Sequence, residues 1–271
     1  NGNKKQGAAR NTGLKNALGK YIWFIDSDDY IKPNVLGILL NSMQEYDLDL
    51  IHFDAEIIAY KDIITNRVRY SLDTCSGTDL IFDKNLKWSL KCCSVCNLIV
   101  KKDYLLTNNL VFVEGVQYED SDFSLQTMAY AEKVQHIDFA PYCYRQVENS
   151  CTHSKTDPVK LKYWVLLSLR YTNLIHQFII DKRDIRFIKG LKELIDYESM
   201  LTFKALCGFT KDERNQFQSM ISEINTRPLL KQLGIVKYTI LIHQGLWETH
   251  FDIWEYNNCV KRFKNRLKKI I

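Results

Sequence analysis

Three carboxylates follow directly on a short apolar run. Asp26, Asp28 and Asp29 come immediately after residues 21–25 in the stretch YIWFIDSDD. Two or three carboxylates on one tight turn suit a hard divalent cation, which prefers oxygen ligands. Mg2+ or Mn2+ takes one or two carboxylates and lets substrate phosphates complete its shell. A solvated acidic turn, with Asp29 capping the next helix, explains the same pattern, so both interpretations stay open here.

A second acidic group lies in the stretch GVQYEDSDF, which supplies Glu119, Asp120 and Asp122. The pattern places these residues where a loop meets a helix. Carboxylates there are favoured by the helix dipole and by free backbone N–H groups, so simple capping accounts for them. Alternatively, one of them is a general base, which must lie within hydrogen-bonding distance of its proton.

The elements around the first acidic group predict an α/β layered domain. Apolar spacing predicts a helix over residues 7–19 and another beginning at Pro33, while residues 21–25 and 48–60 are typical of strands. The run at 21–25 is continuous and apolar, which indicates a strand covered on both faces, as in a parallel sheet. Ligands bind at the carboxyl ends of strands in such sheets, which is where Asp26 lies.

The rest of the chain predicts a change of character after the middle. We expect strands over 97–100 and 110–113, a helix over 120–132, and a pair of strands formed by 134–139 and 142–146. From Pro158 onwards the pattern is helical. We therefore divide the chain into residues 1–152 and residues 153–271.

Composition excludes some classes of protein. The 271 residues carry a net charge of +5, but the last eleven, KRFKNRLKKII, hold six Lys or Arg and no acid. The body is therefore close to neutral, which argues against a nucleic-acid partner. No apolar run approaches the roughly 18 residues needed to cross a bilayer. The eight scattered cysteines favour a reduced, cytoplasmic setting.

Three stretches together resemble glycosyltransferase family 2, whose catalytic domain has the GT-A fold. They are QGAARNTGLKNALGKYIWFIDSDD, similar to the family's G-x-x-x-A-R-N-x-G helix and D-x-D turn, LVFVEGVQYEDSDF, similar to its E-D motif, and YCYRQVENSCTHS, similar to its Y-x-Y-R strand. The resemblance covers roughly residues 1–150. It implies an α/β fold with a GT-A-like (Rossmann-like) mixed sheet flanked by helices, lacking its first β-α-β portion and followed by an all-helical C-terminal region.

The same resemblance implies roles for the first motif. Asp28 would be the main metal ligand, for Mn2+ or Mg2+. Asp26 would assist at the metal or the donor ribose, and Asp29 would support the turn. Arg10 lies where the family has a basic residue near the nucleotide.

The later motifs would supply the reacting groups. Asp120 would be the catalytic base, with Glu119 orienting the base or the acceptor. Arg145, Ser150 and His153 would approach the diphosphate or close a loop over it. For His153, an exposed loop residue is the competing interpretation.

The resemblance implies an enzyme that transfers a sugar, with inversion, from a nucleotide-diphosphate sugar to a hydroxyl acceptor. A UDP-sugar is the expected donor, a glycan or lipid-linked glycan the expected acceptor, and cell-surface polysaccharide biosynthesis the expected setting. The alternative is a non-catalytic nucleotide-sugar-binding or scaffolding protein of the same fold. A metal-dependent phosphoryl-transfer enzyme is disfavoured, because neither an early acidic nucleophile nor a phosphate-binding loop is found.

The chain departs from the family at its start. The family's first strand, its P-x-Y-N segment and the strand ending in a base-binding Asp are absent from these residues. We therefore expect an N-terminally truncated catalytic domain that, by itself, binds donor poorly and turns over little.

Three further features have competing interpretations. The Cys92–Cys96 pattern CCSVC could hold zinc, but no second close pair completes four ligands, so buried thiols are favoured. Trp88 could stack on a sugar or pack in the core. Residues 253–270 combine apolar residues at helical spacing with a basic face, which suits peripheral attachment to an anionic inner membrane surface or packing on the chain's own domain.

Overall fold

The central feature of the fold is a mixed seven-stranded sheet. A computed structural model describes residues 5–59, 62–65, 71–83, 94–146 and 155–225, together with residue 228. The strands are β1 Tyr21–Trp23, β2 Tyr30–Ile31, β3 Leu50–Ala59, β4 Asp62–Thr65, β5 Leu72–Cys75, β6 Leu98–Lys101 and β7 Val134–Gln146. This mixed sheet with flanking helices confirms the predicted fold class.

The sheet runs in the order β1-β6-β3-β7-β2, with β4 added to β3 and β5 added to β7. Among the described strands, β3 and β7 form the one parallel pair, and β1 pairs antiparallel with β6. Leu50, Ile51, His52 and Phe53 of β3 are all fully buried. A strand buried on both faces carries a near-continuous apolar run, which is why the central strand was readable from sequence.

Helices occupy segments between the strands and most of the described residues after β7. They are α1 Lys5–Asn16, α2 Leu36–Glu45, α3 Gly77–Ile81, α4 Lys102–Thr107, α5 Glu119–Tyr130, α6 Pro158–Ile180, α7 Ile185–Gly208 and α8 Lys211–Ser222. The start of α8 is a capping box, in which Thr210 and Glu213 each satisfy the other's backbone N–H. The predicted helical character after Pro158 is confirmed over the described residues.

One predicted strand is wrong. Residues 110–113 form no strand, although LVFV is apolar enough for one. The Asn11 side chain accepts from the backbone N–H of Phe112 at 2.8 Å and donates to its carbonyl oxygen at 2.9 Å. Because one amide satisfies both backbone groups of Phe112, this residue needs no partner from a neighbouring strand.

The predicted pair of strands over 134–139 and 142–146 is also wrong, since both belong to the single strand β7. The parallel register with β3 shifts between Phe53 and Ala55, whose partners are Ile137 and Tyr142. A bulge therefore absorbs the intervening residues, including Pro141, and the strand continues instead of turning back.

The chain divides into two compact units. The first comprises Asn1–Lys155 with Asn173–Leu194, and the second comprises Thr156–Thr172 with Ile195–Ile271. In the second unit, Leu161, Leu206, Phe209 and Phe217 form a buried cluster. The sequence-based division at residues 152 and 153 stays a prediction.

Candidate active site

The turn after β1 is held in place by the far end of β7. The backbone N–H of Asp29 donates to the carbonyl oxygen of Asp26 at 3.1 Å, which closes the turn. The Asp29 carboxylate accepts from the Tyr142 hydroxyl, and from the backbone N–H of Arg145 at 2.8 Å. The Arg145 side chain donates through Nε to the carbonyl oxygen of Asp28. Asp29 is therefore bound to the scaffold, in agreement with the supporting role that the resemblance implies.

This attachment leaves the neighbouring carboxylates for a ligand. Burial raises the pKa of Asp29, and its hydrogen bonds to Tyr142 and Arg145 partly oppose the shift. The Asp28 carboxylate is half-buried, and no described residue forms a hydrogen bond or ion pair with it. Asp26 keeps a side-chain exposure of 34% and uses Oδ1 for an ion pair, so Oδ2 remains as the oxygen available to a ligand.

The second acidic group forms the first turn of α5. Tyr118, which precedes the helix, has φ 65° and ψ 24°, in the left-handed region. A bulky residue in that conformation is strained and is found mainly where the surrounding structure demands it, often at functional sites. Glu119 is 2% exposed, whereas Asp120 is only half-buried. The first turn of α5 therefore buries Glu119 almost completely and the next residue, Asp120, only in part.

Arg10 joins the two acidic groups. Its Nη2 lies 2.6 Å from Asp26 Oδ1, and its Nη1 lies 2.6 Å from Glu119 Oε1. These contacts connect residues 16 and 109 positions away along the chain. The structure therefore brings the D-x-D turn and the start of α5 onto a single guanidinium group.

The packing of α1 makes this connection possible. A Cβ atom added at Gly7 would clash with the carbonyl oxygen of Val113, so only glycine allows α1 to come this close to the loop before α5. One turn further along α1, the guanidinium carbon of Arg10 lies 5.4 Å from the centre of the Phe112 ring. That ring stacks on Phe123 at 3.9 Å. Arg10 is therefore held by aromatic packing as well as by its ion pairs.

The electrostatics of the cluster favour a charged arginine beside two perturbed acids. Burial alone would lower the pKa of Arg10, but Asp26, Glu119 and Asp120 together raise it. Burial raises the pKa of Asp120, against a lowering by Arg10. Burial likewise raises the pKa of Glu119. A carboxylate whose pKa is moved up from its ordinary value is a better proton acceptor near neutral pH.

The described carboxylates could bind a divalent cation only together with a phosphate-bearing ligand that completes its coordination. Within the described ranges, no group of three or more His, Cys, Asp and Glu side chains converges on a metal position. The carboxylates of Asp28 and Asp26 are partly exposed oxygen donors that would form part of such a shell. That donor set matches the one or two carboxylates that Mg2+ uses when phosphates complete the coordination.

Some predicted residues lie outside the part of the chain that the structure describes. They are Ser150, His153, Trp88, Cys92 and Cys93, and the basic segment 253–270. Cys96 is a buried free thiol. Arg145 is described and exposed, and its side chain contacts the backbone of the D-x-D turn.

Sequence reasoning missed two residues that build the site. Asn11 ties α1 to the loop before α5, and Tyr142 holds Asp29 and accepts from the backbone N–H of Asp26 at 3.4 Å. Both lie inside the motifs quoted above, Asn11 beside Arg10 and Tyr142 at the start of YCYR. Their positions in the motifs were visible, but their partners depend on packing.

No helix in the described ranges is both long enough and apolar enough to span a bilayer.

Part of the chain is similar in sequence to known glycosyltransferases. Residues 1–106 match the model of the family described as glycosyl transferase family 2. The glycosyltransferase EpsJ of Bacillus subtilis is 28% identical over 56% of this chain and 45% of its own length. The minor teichoic acid biosynthesis protein GgaB of B. subtilis is 24% identical over 70% of this chain and 24% of its own length. The chain thus spans less than half the length of both relatives.

A solved structure extends the likeness in fold. The crystal structure of S. aureus TarS 1-349 in complex with UDP-GlcNAc superposes with a TM-score of 0.54 and 16% identity. It covers 91% of this chain, and the chain covers 74% of it. At this level of identity the match establishes the fold alone.

Proposed function

We propose that the chain is a member of glycosyltransferase family 2, whose model matches residues 1–106, and that it transfers a sugar from a nucleotide-diphosphate sugar to a hydroxyl acceptor with inversion. The observation that carries the proposal is the guanidinium of Arg10, which lies 2.6 Å from both Asp26 and Glu119. Because of it, the two acidic motifs belong to one site, as a transfer between two bound substrates requires.

Asp120 acts as the general base in this proposal. It follows the buried Glu119 at the start of α5, is only half-buried, and has a pKa raised by burial. It takes the proton of the acceptor hydroxyl while that oxygen attacks the anomeric carbon. A base and a leaving group on opposite faces of the sugar give a single displacement, and hence inversion, through an oxocarbenium-like state.

The donor diphosphate binds at the D-x-D turn. Asp28, with Asp26 assisting through Oδ2, would hold Mn2+ or Mg2+ there. When bound, such an ion offsets the negative charge that develops on the leaving diphosphate. Asp29 keeps the turn in register with β7 through Tyr142 and Arg145.

Two proteins to which the chain is similar support the proposed substrate class. The TarS structure contains UDP-GlcNAc, which supports a UDP-sugar as donor here. The name of GgaB refers to teichoic acid biosynthesis, which supports a glycan or lipid-linked glycan of a cell-surface polymer as acceptor. Attachment of residues 253–270 to the inner face of the membrane stays a prediction, since they lie outside the described residues.

The test separates binding from chemistry in the intact protein. Titration calorimetry with a panel of UDP-sugars and Mn2+ measures donor binding, and release of UDP in the presence of candidate acceptors measures transfer. We expect Asp120→Asn to lower transfer at least about 100-fold while sparing donor binding. We expect Asp28→Ala to weaken Mn2+-dependent donor binding.

Asp73→Asn, an exposed carboxylate on β5, is the matched control and should change neither quantity. Equal losses of donor binding in the Asp120 and Asp28 variants would contradict the division of roles. Donor binding by the wild-type protein without transfer to any acceptor, and without hydrolysis of the donor, would favour the non-catalytic alternative.

A further inference from the structure

Arg10 is largely buried and paired with protein carboxylates, which is unusual for a residue that contacts substrate directly. Its side chain is 11% exposed, and its two terminal nitrogens are both engaged by carboxylates of the protein. Its guanidinium carbon lies over the Phe112 ring. A guanidinium that binds phosphate normally presents its fork to the ligand. Here the fork is directed at Asp26 on one arm and Glu119 on the other.

The two carboxylates that pair with Arg10 differ in burial, and this difference indicates the role of the ion pairs. Glu119 has a side chain only 3% exposed, whereas the side chain of Asp26 is 34% exposed. Removing the cation from a buried carboxylate is costly, because an uncompensated charge remains in the interior. Glu119 therefore depends on Arg10, and the residue that follows it in the first turn of α5 is Asp120.

We propose that Arg10 is a positioning residue: it sets the separation between the donor-binding turn and the first turn of α5, and so the place of Asp120 relative to the donor. This inference rests on the proposed function. It differs from the nucleotide-contacting role that the family resemblance implies for Arg10, because the guanidinium acts through protein carboxylates. A misplacement of a reacting group by about 1 Å can cost on the order of 100-fold in rate.

Replacing Arg10 with Met separates the two roles. A positioning role predicts a kcat about 100-fold lower with the dissociation constant of the UDP-sugar within about threefold of wild type. A contact with the nucleotide predicts the reverse, with weakened donor binding and kcat retained. Retention of both kcat and donor affinity in R10M would also overturn the proposal.

Two further variants keep the test decisive if R10M folds poorly. R10K retains a charge but lacks the planar fork, so we expect it to fold and to recover only part of kcat. The double variant R10M/E119Q removes the buried charge, so its thermal midpoint should return towards wild type while kcat stays low. Wild-type kcat in either variant would overturn the proposal.

Arg186 provides the matched control. It also joins two carboxylates, with Nη2 2.8 Å from both Asp79 and Asp184, but it is 44% exposed and belongs to a different cluster. R186M should leave kcat and donor affinity unchanged, and an equal loss in R186M would overturn the proposal. Failure of the wild-type protein to bind any UDP-sugar would instead count against the proposed function, which keeps the two failures distinct.

Discussion

Two histidines in the centre of the sheet predict a pH-dependent stability. His52 on β3 and His136 on β7 are register partners, and both are fully buried. Their Nδ1 atoms lie 2.7 Å apart. Such a bond requires that one Nδ1 carries a hydrogen and the other is bare. The doubly protonated pair cannot form it, so the native sheet favours neutral rings.

The direction of the effect follows from the pKa values. Burial lowers the pKa of His136 from 6.5 to about 4, although Asp138 and Asp83 act to raise it. Burial, and next His136, also lowers the pKa of His52. Above pH 6.5 both rings are neutral in the folded and unfolded chain, and this stability is fully present. Below pH 6.5 the unfolded chain binds protons that the native sheet does not, so the free energy of unfolding decreases until the native ring titrates near pH 4.

The magnitude can be worked for His136 alone. Lowering the pH from 7.5 to 5.0 with a pKa of about 4 in the folded state and 6.5 in the unfolded state costs about 2 kcal/mol. Domains typically have only about 5–15 kcal/mol of stability, so the loss is readily measured. Other titrating groups contribute to the same pH range, and a variant is therefore needed to isolate this one.

The assay is urea unfolding followed by far-UV circular dichroism at the two pH values. We expect His136→Asn to be less stable than wild type at pH 7.5, because it loses packing volume. Its difference in unfolding free energy between pH 7.5 and pH 5.0 should be smaller than that of wild type by about 2 kcal/mol. His176→Asn, an exposed histidine on α6, should keep the full wild-type difference. Identical pH differences in wild type and His136→Asn would refute the neutral buried pair.

Two other predictions concern the scaffold of the site. Gly7→Ala should lower the free energy of unfolding by about 1–3 kcal/mol, because the new Cβ clashes with the carbonyl oxygen of Val113. Gly13→Ala is the control in the same helix, because a Cβ there meets nothing within 4 Å, and it should raise the free energy of unfolding by roughly 0.5–1 kcal/mol. Urea unfolding measures both variants. If both substitutions changed the free energy of unfolding in the same direction, the packing argument would be contradicted. Tyr142→Phe removes the hydroxyl that donates to Asp29, and should cost on the order of 1–3 kcal/mol and weaken Mn2+-dependent donor binding, as measured by calorimetry. Unchanged donor affinity in Tyr142→Phe would show that the turn holds its shape without the Tyr142 hydroxyl.

The sequence pattern predicted secondary structure correctly where an element is determined by its own consecutive residues. The buried strand β3 and helix α5 could be predicted because a continuous apolar run and a helical period are properties of consecutive residues. The same reasoning failed at residues 110–113, where the apolar run is real but the backbone partner is the Asn11 side chain, 101 positions away. It also failed at Pro141, because a bulge against β3 kept β7 continuous.

The sequence by itself determined which chemical groups this protein carries and where they lie along its elements: acids directly after β1 and acids opening α5, each placed by short-range pattern. Only the tertiary structure decided that Arg10 lies between these two groups, that Glu119 is buried while Asp120 is only half-buried, and that Tyr142 holds Asp29. The physical reason is the separation along the chain over which each interaction acts. Helical period and turn chemistry act over a few residues, whereas ion pairs between residues 109 positions apart exist only after α1 and α5 have packed together.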